Sequence, residues 1–132
     1  MELTELEKRI RSVLHKNRRV LLFDFTRLTS TSDALEVIQP AKKIIAGQSE
    51  HSVFTLTDII GSDYDRDVAS ALQDLAKHNK PYVIAGAAVG VSGLQKVVFR
   101  SILAFSGRKN IQLFDTREEA LDWLATYASK EK

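Results

Sequence analysis

The stretch that decides the fold is Val20-Leu21-Leu22-Phe23-Asp24-Phe25, which is apolar except for one carboxylate. A run this short and this rich in strand-forming residues predicts a β-strand that is buried on both faces, as in a parallel sheet covered by helices. Comparable stretches follow at residues 52–57, 82–87 and 111–114. The sequence therefore predicts four strands.

Helix signals separate these strands. Three capping boxes open predicted helices: Ser30 with Asp33, Ser62 with Asp65, and Thr116 with Glu119. The first of these helices contains Pro40, which predicts a kink or two helical pieces that end near Gly47. A strongly apolar segment at residues 94–105 predicts another helix.

Alternating strands and helices predict an α/β fold, a mainly parallel sheet with helices on both faces. We expect a single domain over residues 18–128, with four strands in the order 2-1-3-4 and a polar tail at residues 129–132. Residues 1–17 form a separate N-terminal segment. Apolar residues recur there at three- and four-residue steps, which predicts an amphipathic helix over residues 2–16.

Composition narrows the function classes. The chain has 132 residues, of which 44% are hydrophobic and 27% charged, as expected for one globular domain. It has no cysteine, which excludes disulfides, thiolate metal sites and cysteine nucleophiles. The three histidines lack metal-ligand spacing, so no metal and no cofactor is predicted.

A net charge of +2 gives no sign of nucleic-acid binding. No stretch reaches the roughly 18 apolar residues of a membrane span, so we expect a cytoplasmic protein.

Three carboxylates end predicted strands: Asp24, Asp58 and Asp115. Ligands and partners of such sheets bind beyond the carboxyl ends of the strands. If the first two strands are neighbours, Asp24 and Asp58 lie close enough to hold a hard cation or to perform acid–base catalysis. The alternative interpretation is that each carboxylate accepts hydrogen bonds from turn amides. No histidine or lysine matches this pair, and on balance the sequence predicts no enzyme.

Residues 86–96 are rich in glycine and other small residues and lead into a predicted helix. Amides at a helix start receive phosphates and carboxylates, and Lys96 adds positive charge. Gly90, Ser92, Gly93 and Lys96 are therefore candidate ligand-binding residues. The alternative is that the small residues allow close helix–strand packing and that Ser92 caps the helix.

Five stretches together resemble the SpoIIAA-like proteins of the STAS (sulfate transporter and anti-sigma-factor antagonist) superfamily. They are residues 22–25, 52–58, 80–83, Val89-Gly90-Val91-Ser92-Gly93-Leu94-Gln95-Lys96 and Glu119-Ala120-Leu121-Asp122-Trp123-Leu124. The resemblance implies a compact α/β domain that is a non-enzymatic interaction module. Its implied partner is a protein, such as an anti-sigma-factor-like kinase. STAS domains usually begin with an extra strand, where the periodicity of this chain predicts a helix.

The resemblance also locates a candidate partner site. In phosphorylated antagonists a strand ends in Asp and is followed by Ser-Ser-Gly. Aligning Asp58 and Gly61 with that motif puts Ile59 and Ile60 at the serine positions, and neither side chain can accept a phosphate. Ser62, one place further on, is then the candidate phosphorylation site or simply a helix N-cap. The predicted partner-binding residues are Asp58, Gly61, Ser62, Asp63 and Asp65.

Two further expectations stay open. The kinship of the superfamily to Sec14-type lipid-binding folds implies that a ligand at Gly90–Gly93 is anionic or apolar and lipid-like. Any sheet with an open edge also permits a homo-oligomer, and the sequence does not decide the oligomeric state.

Overall fold

The computed structural model describes residues 7–28, 30–62, 66–91, 96, 100–101 and 110–127. A short 3-10 helix, Glu7–Arg9, precedes the first strand. The strands are β1 (Ile10–His15), β2 (Arg18–Asp24), β3 (Val53–Asp58), β4 (Val83–Val89) and β5 (Ile111–Phe114). The helices are α1 (Thr31–Ala46), α2 (Arg66–Asn79) and α3 (Arg117–Thr126). Lys96, Arg100 and Ser101 are helical, whereas the rest of the predicted 94–105 helix and the 129–132 tail lie outside the described residues.

The five strands form one mixed sheet in the order β1-β2-β3-β4-β5. β1 is antiparallel to β2, and the other three pairs are parallel. The four predicted strands are all present, but the predicted order 2-1-3-4 is wrong. Each of the strands β3, β4 and β5 lies next to the strand that precedes it in the chain. The crossover connections therefore all run in the same direction across the sheet, and the strand order does not reverse. Right-handed crossovers of this kind place α1 and α2 on the same face.

Residues 10–15 form a strand, so the predicted helix over residues 2–16 is wrong there, whereas Glu7–Arg9 form a short 3-10 helix. β1 and β2 make a hairpin that pairs Ile10 with Phe23 and His15 with Arg18. The turn residues Lys16 and Asn17 have φ angles of 49° and 69°, as a two-residue type I′ turn requires. The segment is therefore part of the domain and supplies the extra strand that the resemblance to STAS domains implies.

The apolar residues of β1 are divided between the two faces of the sheet. Ile10 packs in the core beneath α1 and α2, whereas Val13 packs in the core beneath α3. Ile10 and Val13 are three residues apart. In a helix this spacing would place them on one face, but in a strand it places them on opposite faces of the sheet.

Helices cover both faces of the sheet, as predicted. Buried residues of β2 such as Phe23 pack with Ile38 and Ile45 of α1 and with Leu72 of α2. On the opposite face, Leu22 and Leu56 pack with Leu124 of α3. Near-continuous burial along β3 and β4 follows from this double cover.

Two of the predicted capping boxes are confirmed. Ser30 Oγ accepts from the Asp33 amide at 3.3 Å, and Thr116 Oγ1 accepts from the Glu119 amide at 3.1 Å. The helix that begins after Ser30 is a single helix that continues through Pro40 and ends before Gly47. Two separate pieces are therefore not formed, because buried residues on either side of Pro40 hold the helix against the sheet and offset one lost hydrogen bond.

Candidate functional site

Two aspartates meet at the carboxyl ends of β2 and β3. Asp24 and Asp58 are directly opposite each other in the parallel register. Arg117, the first residue of α3, donates from Nε to Asp58 Oδ2 at 2.7 Å, and its Nη2 lies 3.7 Å from Asp24 Oδ2. The predicted approach of the two carboxylates is correct, and a guanidinium group lies between them.

Asp24 has further partners from the N-terminal part of the chain. Arg9 Nη1 lies 3.6 Å from Asp24 Oδ1, and Arg11 Nη1 lies 3.5 Å from Oδ2. Arg9 also donates to the backbone carbonyls of Asp24 and Thr26, at 3.1 and 2.8 Å. We refer to Arg9, Arg11, Asp24, Asp58 and Arg117 as the arginine–aspartate cluster.

The surroundings of Asp24 favour its ionised form. Burial raises the pKa of this carboxyl, but hydrogen bonds from Thr26 Oγ1 at 2.6 Å and Thr26 N at 3.0 Å lower it, as do the charges of Arg117 and Arg9. The net result is a pKa of Asp24 below its ordinary value of 3.8. Asp24 is therefore an ionised acceptor at neutral pH.

Asp58 is the buried member of the pair, with 2% of its surface exposed. Its Oδ2 accepts from Arg117, and its Oδ1 accepts from the Ile60 amide at 3.0 Å. Burying a carboxylate is costly unless it is paired with an opposite charge and hydrogen-bonded, and Asp58 has both kinds of partner. Within the described ranges, no group of three or more His, Asp or Glu side chains is arranged to hold a metal ion. Arg117 supplies the positive charge between the two carboxylates.

The 58–62 loop follows β3 and is fixed on both sides by backbone hydrogen bonds. Phe25 N donates to Asp58 O and Arg27 N to Ile60 O, at 2.8 and 2.9 Å. On the other side, Ile59 N donates to Val89 O at 2.9 Å. The loop is therefore held between the ends of β2 and β4.

The two isoleucines of the loop have opposite environments. Ile59 lies in the core beneath α1 and α2, whereas 42% of Ile60 is exposed. The position of Ile60 is thus displayed to solvent at the surface of the loop.

Ser62 and Gly61 complete the loop. Ser62 is half-buried, and both its Oγ and its amide donate to Ile59 O, at 2.9 and 3.1 Å. Gly61 has a φ of 73° and lies beside the Arg27 side chain. Of the predicted partner-binding residues, Asp58, Gly61 and Ser62 lie in this loop, whereas Asp63 and Asp65 lie outside the described residues.

Gly90, from the predicted ligand-binding segment, contacts the 58–62 loop, which contains predicted partner-binding residues. It has a φ of 92°, and a Cβ at this position would lie 2.6 Å from both the amide nitrogen and Cγ1 of Ile60. The glycine is therefore needed for close packing against the 58–62 loop. Ser92 and Gly93 lie outside the described residues, and Lys96 is helical and half-exposed.

A second polar contact fixes the hairpin to α3. His15 Nε2 lies 2.7 Å from Asp122 Oδ1, and Lys16 Nζ lies 3.0 Å from the same oxygen. The hydrogen bond with His15, followed by that with Lys16, holds the pKa of Asp122 below its ordinary value. This contact crosses the sheet face that α3 covers.

Sequence reasoning missed the arginines of the cluster. Arg9 and Arg11 fall in the segment predicted as an amphipathic helix, and Arg117 directly follows the predicted N-cap Thr116 without belonging to a motif of its own. Their role depends on long-range register, which no local pattern contains. The part of the cluster that the sequence does predict is the pair of carboxylates at the strand ends.

The fold has a counterpart among solved structures. The chain is similar to an uncharacterized protein from the DUF3478 family, of Shewanella loihica PV-4, whose crystal structure has a SpoIIAA-like fold. The TM-score is 0.66 at 22% sequence identity, over 87% of this chain and 91% of that chain. No family model matches the chain, and no curated protein matches its sequence. The comparison shows that the protein has a SpoIIAA-like fold, in agreement with the sequence resemblance.

Among the residues that the structure describes, no helix is both long enough and apolar enough to cross a bilayer.

Proposed function

We propose that the protein is a non-enzymatic interaction module that binds a protein partner through the 58–62 loop. The observation that carries this proposal is the display of Ile60 on a backbone fixed from both sides. Single exposed apolar residues are common on protein surfaces. A preorganised loop differs because binding needs little further ordering of the chain, so an apolar anchor on it contributes more to affinity.

The chemistry of the two aspartates supports binding rather than catalysis. A general base is most effective when its pKa lies near the working pH. The pKa of Asp24 lies below its ordinary value, and its oxygens accept from Thr26 and face three arginines. Asp58 is buried and bonded to Arg117 and to the Ile60 amide. Asp58 therefore connects the 58–62 loop to the start of α3, and Asp24 faces the same arginine of α3.

The packing of Gly90 favours a protein partner over a small ligand at this position. The space that a ligand would need beside the Gly90 Cα is filled by Ile60. The same contact supports the loop from beneath, so Gly90 contributes to the partner surface by positioning Ile60.

The proposal is tested by affinity capture from a lysate of the source organism. Wild type, Ile60→Lys and Leu14→Lys are each immobilised, and the retained proteins and small molecules are identified by mass spectrometry. Leu14 is the matched control because it is also a large exposed apolar residue, 64% exposed, and lies in β1 at the sheet edge. Thermal unfolding of all three proteins checks that the fold is intact.

A protein retained by wild type and by Leu14→Lys, but lost from Ile60→Lys, is the expected result. Equal retention by all three, or retention of no protein, would contradict the proposal. A small molecule that is retained without any protein would favour the alternative of a ligand-binding protein.

A further inference from the structure

The outer edge of β1 has the features of a pairing surface. β1 is a terminal strand of the sheet, and within the described residues no other strand pairs with its outer side. It has six residues, whereas the other terminal strand, β5, has four. Edge strands that are long and carry exposed apolar residues tend to pair with another chain. β1 carries Leu14, with 64% of its surface exposed.

The hairpin register identifies which groups of β1 point outward. In a two-residue hairpin, the residues that flank the turn form a hydrogen-bonded pair, here His15 with Arg18. Hydrogen-bonded pairs alternate along the strand, so Val13 and Arg11 also direct their N–H and C=O groups toward β2. The N–H and C=O groups of Ile10, Ser12 and Leu14 consequently point away from the sheet.

The outward backbone groups of Ile10, Ser12 and Leu14 can pair with the same three residues of a second copy, with Ser12 at the centre. When two copies of β1 pair in antiparallel fashion with the twofold axis at Ser12, each copy places Leu14 opposite Ile10 of the partner subunit. Side chains in such facing positions are close enough to pack. On the other face, Arg11 stands opposite Val13 of the partner subunit, so no like charges face each other over residues 10–14. Centring the axis at Ile10 or Leu14 would leave fewer facing pairs.

We propose that the protein forms a twofold dimer in which β1 pairs with β1 of a second copy, centred on Ser12. The two five-stranded sheets then form one continuous sheet. Each of the three facing pairs exchanges two backbone hydrogen bonds, and Leu14 packs beside Ile10 of the partner subunit. This surface lies at the edge of the sheet and does not include the 58–62 loop, so the proposal does not depend on the proposed function.

The mass in solution tests the dimer directly. Sedimentation equilibrium and light scattering are measured from micromolar to millimolar chain concentration for wild type, Leu14→Lys, Ser12→Pro and Ile60→Lys. We expect wild type and Ile60→Lys to reach twice the chain mass of 14.8 kDa, and the two β1 variants to stay at 14.8 kDa. Proline at position 12 removes an outward N–H and no backbone hydrogen bond to β2, and edge strands accept proline at such positions. It also removes the exposed side-chain bond that Arg19 Nη1 donates to Ser12 Oγ at 3.2 Å. Circular dichroism checks that both variants remain folded.

A spin label gives the register. Because the chain has no cysteine, Ser12→Cys and Gln112→Cys each carry one label per copy, in β1 and β5 respectively. We expect spin–spin broadening for the label at position 12 and none for the label at position 112. A monomer at every concentration, a dimer that persists in both Leu14→Lys and Ser12→Pro, or broadening only at position 112 would overturn the proposal. Loss of the dimer in Ile60→Lys alone would instead assign it to the 58–62 loop.

Discussion

Gly90 directly follows β4 and packs against Ile60 of the 58–62 loop. Its φ of 92° is one that L side chains rarely adopt, and its Cα faces the backbone of Ile60. A side chain here would have to displace main-chain atoms, which cannot rotate away as the end of a flexible side chain can. The position of Ile60 at the surface therefore depends on the absence of a Cβ at residue 90.

We predict that Gly90→Ala lowers the free energy of unfolding by about 2–4 kcal/mol, because backbone strain and overpacking act together. The measurement is urea unfolding followed by circular dichroism. Gly47→Ala is the control, since Gly47 has a φ of −85° and a Cβ there makes only ordinary contacts. Its effect should lie between no change and about 1 kcal/mol of stabilisation. Equal stability of the two variants would contradict the close packing at Gly90.

The sequence predicted part of this site at the residue level. The strand-end position of Asp24 and Asp58 follows from the hydrophobic pattern, which is local information. The partners of these carboxylates do not follow from it, because Arg117 is 59 positions from Asp58 in the sequence. The glycine-rich segment is recognisable by its composition, but its contact with Ile60 is a property of the parallel register between β3 and β4.

At the scale of elements, the β1–β2 hairpin differs most from the sequence prediction. Leu3, Leu6, Ile10, Val13 and Leu14 fit a helical stripe, and Lys16-Asn17 is not among the strongest turn dipeptides. Short apolar patterns of this kind fit both a helix and a strand. The ambiguity is resolved by β2, which offers a long apolar partner immediately along the chain. By contrast, α1 and α3 were predictable because their capping boxes are local and form as predicted.

The turn gives a direct test of the hairpin. We predict that Asn17→Val lowers the free energy of unfolding by about 1–2 kcal/mol, because a β-branched residue is strained at a φ of 69°. Asn17→Gly, which accepts this conformation, should differ from wild type by less than about 0.5 kcal/mol. Thermal and urea unfolding measure both. If Asn17→Val were as stable as Asn17→Gly, position 17 would not occupy a type I′ turn.

At the scale of the whole molecule, the arginine–aspartate cluster connects segments that are distant in the chain. Arg9 precedes β1, Asp24 ends β2, Asp58 ends β3 and Arg117 begins α3. The fold class and the double layer of helices could be predicted from alternating strand and helix patterns. The strand order could not, because local patterns do not state which strands are neighbours. The cluster exists because the observed order brings β2 beside β3, with β1 at the edge.

This cluster predicts how stability depends on pH. The folded-state pKa of Asp24 lies below its ordinary value of 3.8, so ionised Asp24 binds protons less readily in the folded protein than in the unfolded chain. Its contribution to stability is therefore complete above about pH 5 and is lost as the pH falls through the folded-state pKa. We predict that Asp24→Asn is less stable than wild type at neutral pH, and that the two converge in strongly acidic solution.

The measurement is urea unfolding of both proteins across the acidic range, with Asp115→Asn as the control. Asparagine at position 24 retains an acceptor for Thr26 but removes the charge that faces Arg9 and Arg117, so the variant isolates the ionic part of the contact. Asp115 follows β5 and is exposed, so Asp115→Asn removes a carboxylate outside the arginine–aspartate cluster and should not reproduce the loss of stability expected of Asp24→Asn. A constant difference between wild type and Asp24→Asn at every pH would mean that the charge of Asp24 does not stabilise the fold. The carboxylate would then act through hydrogen bonding alone, and the arginines would have to be held by Asp58 and by the carbonyls that Arg9 contacts.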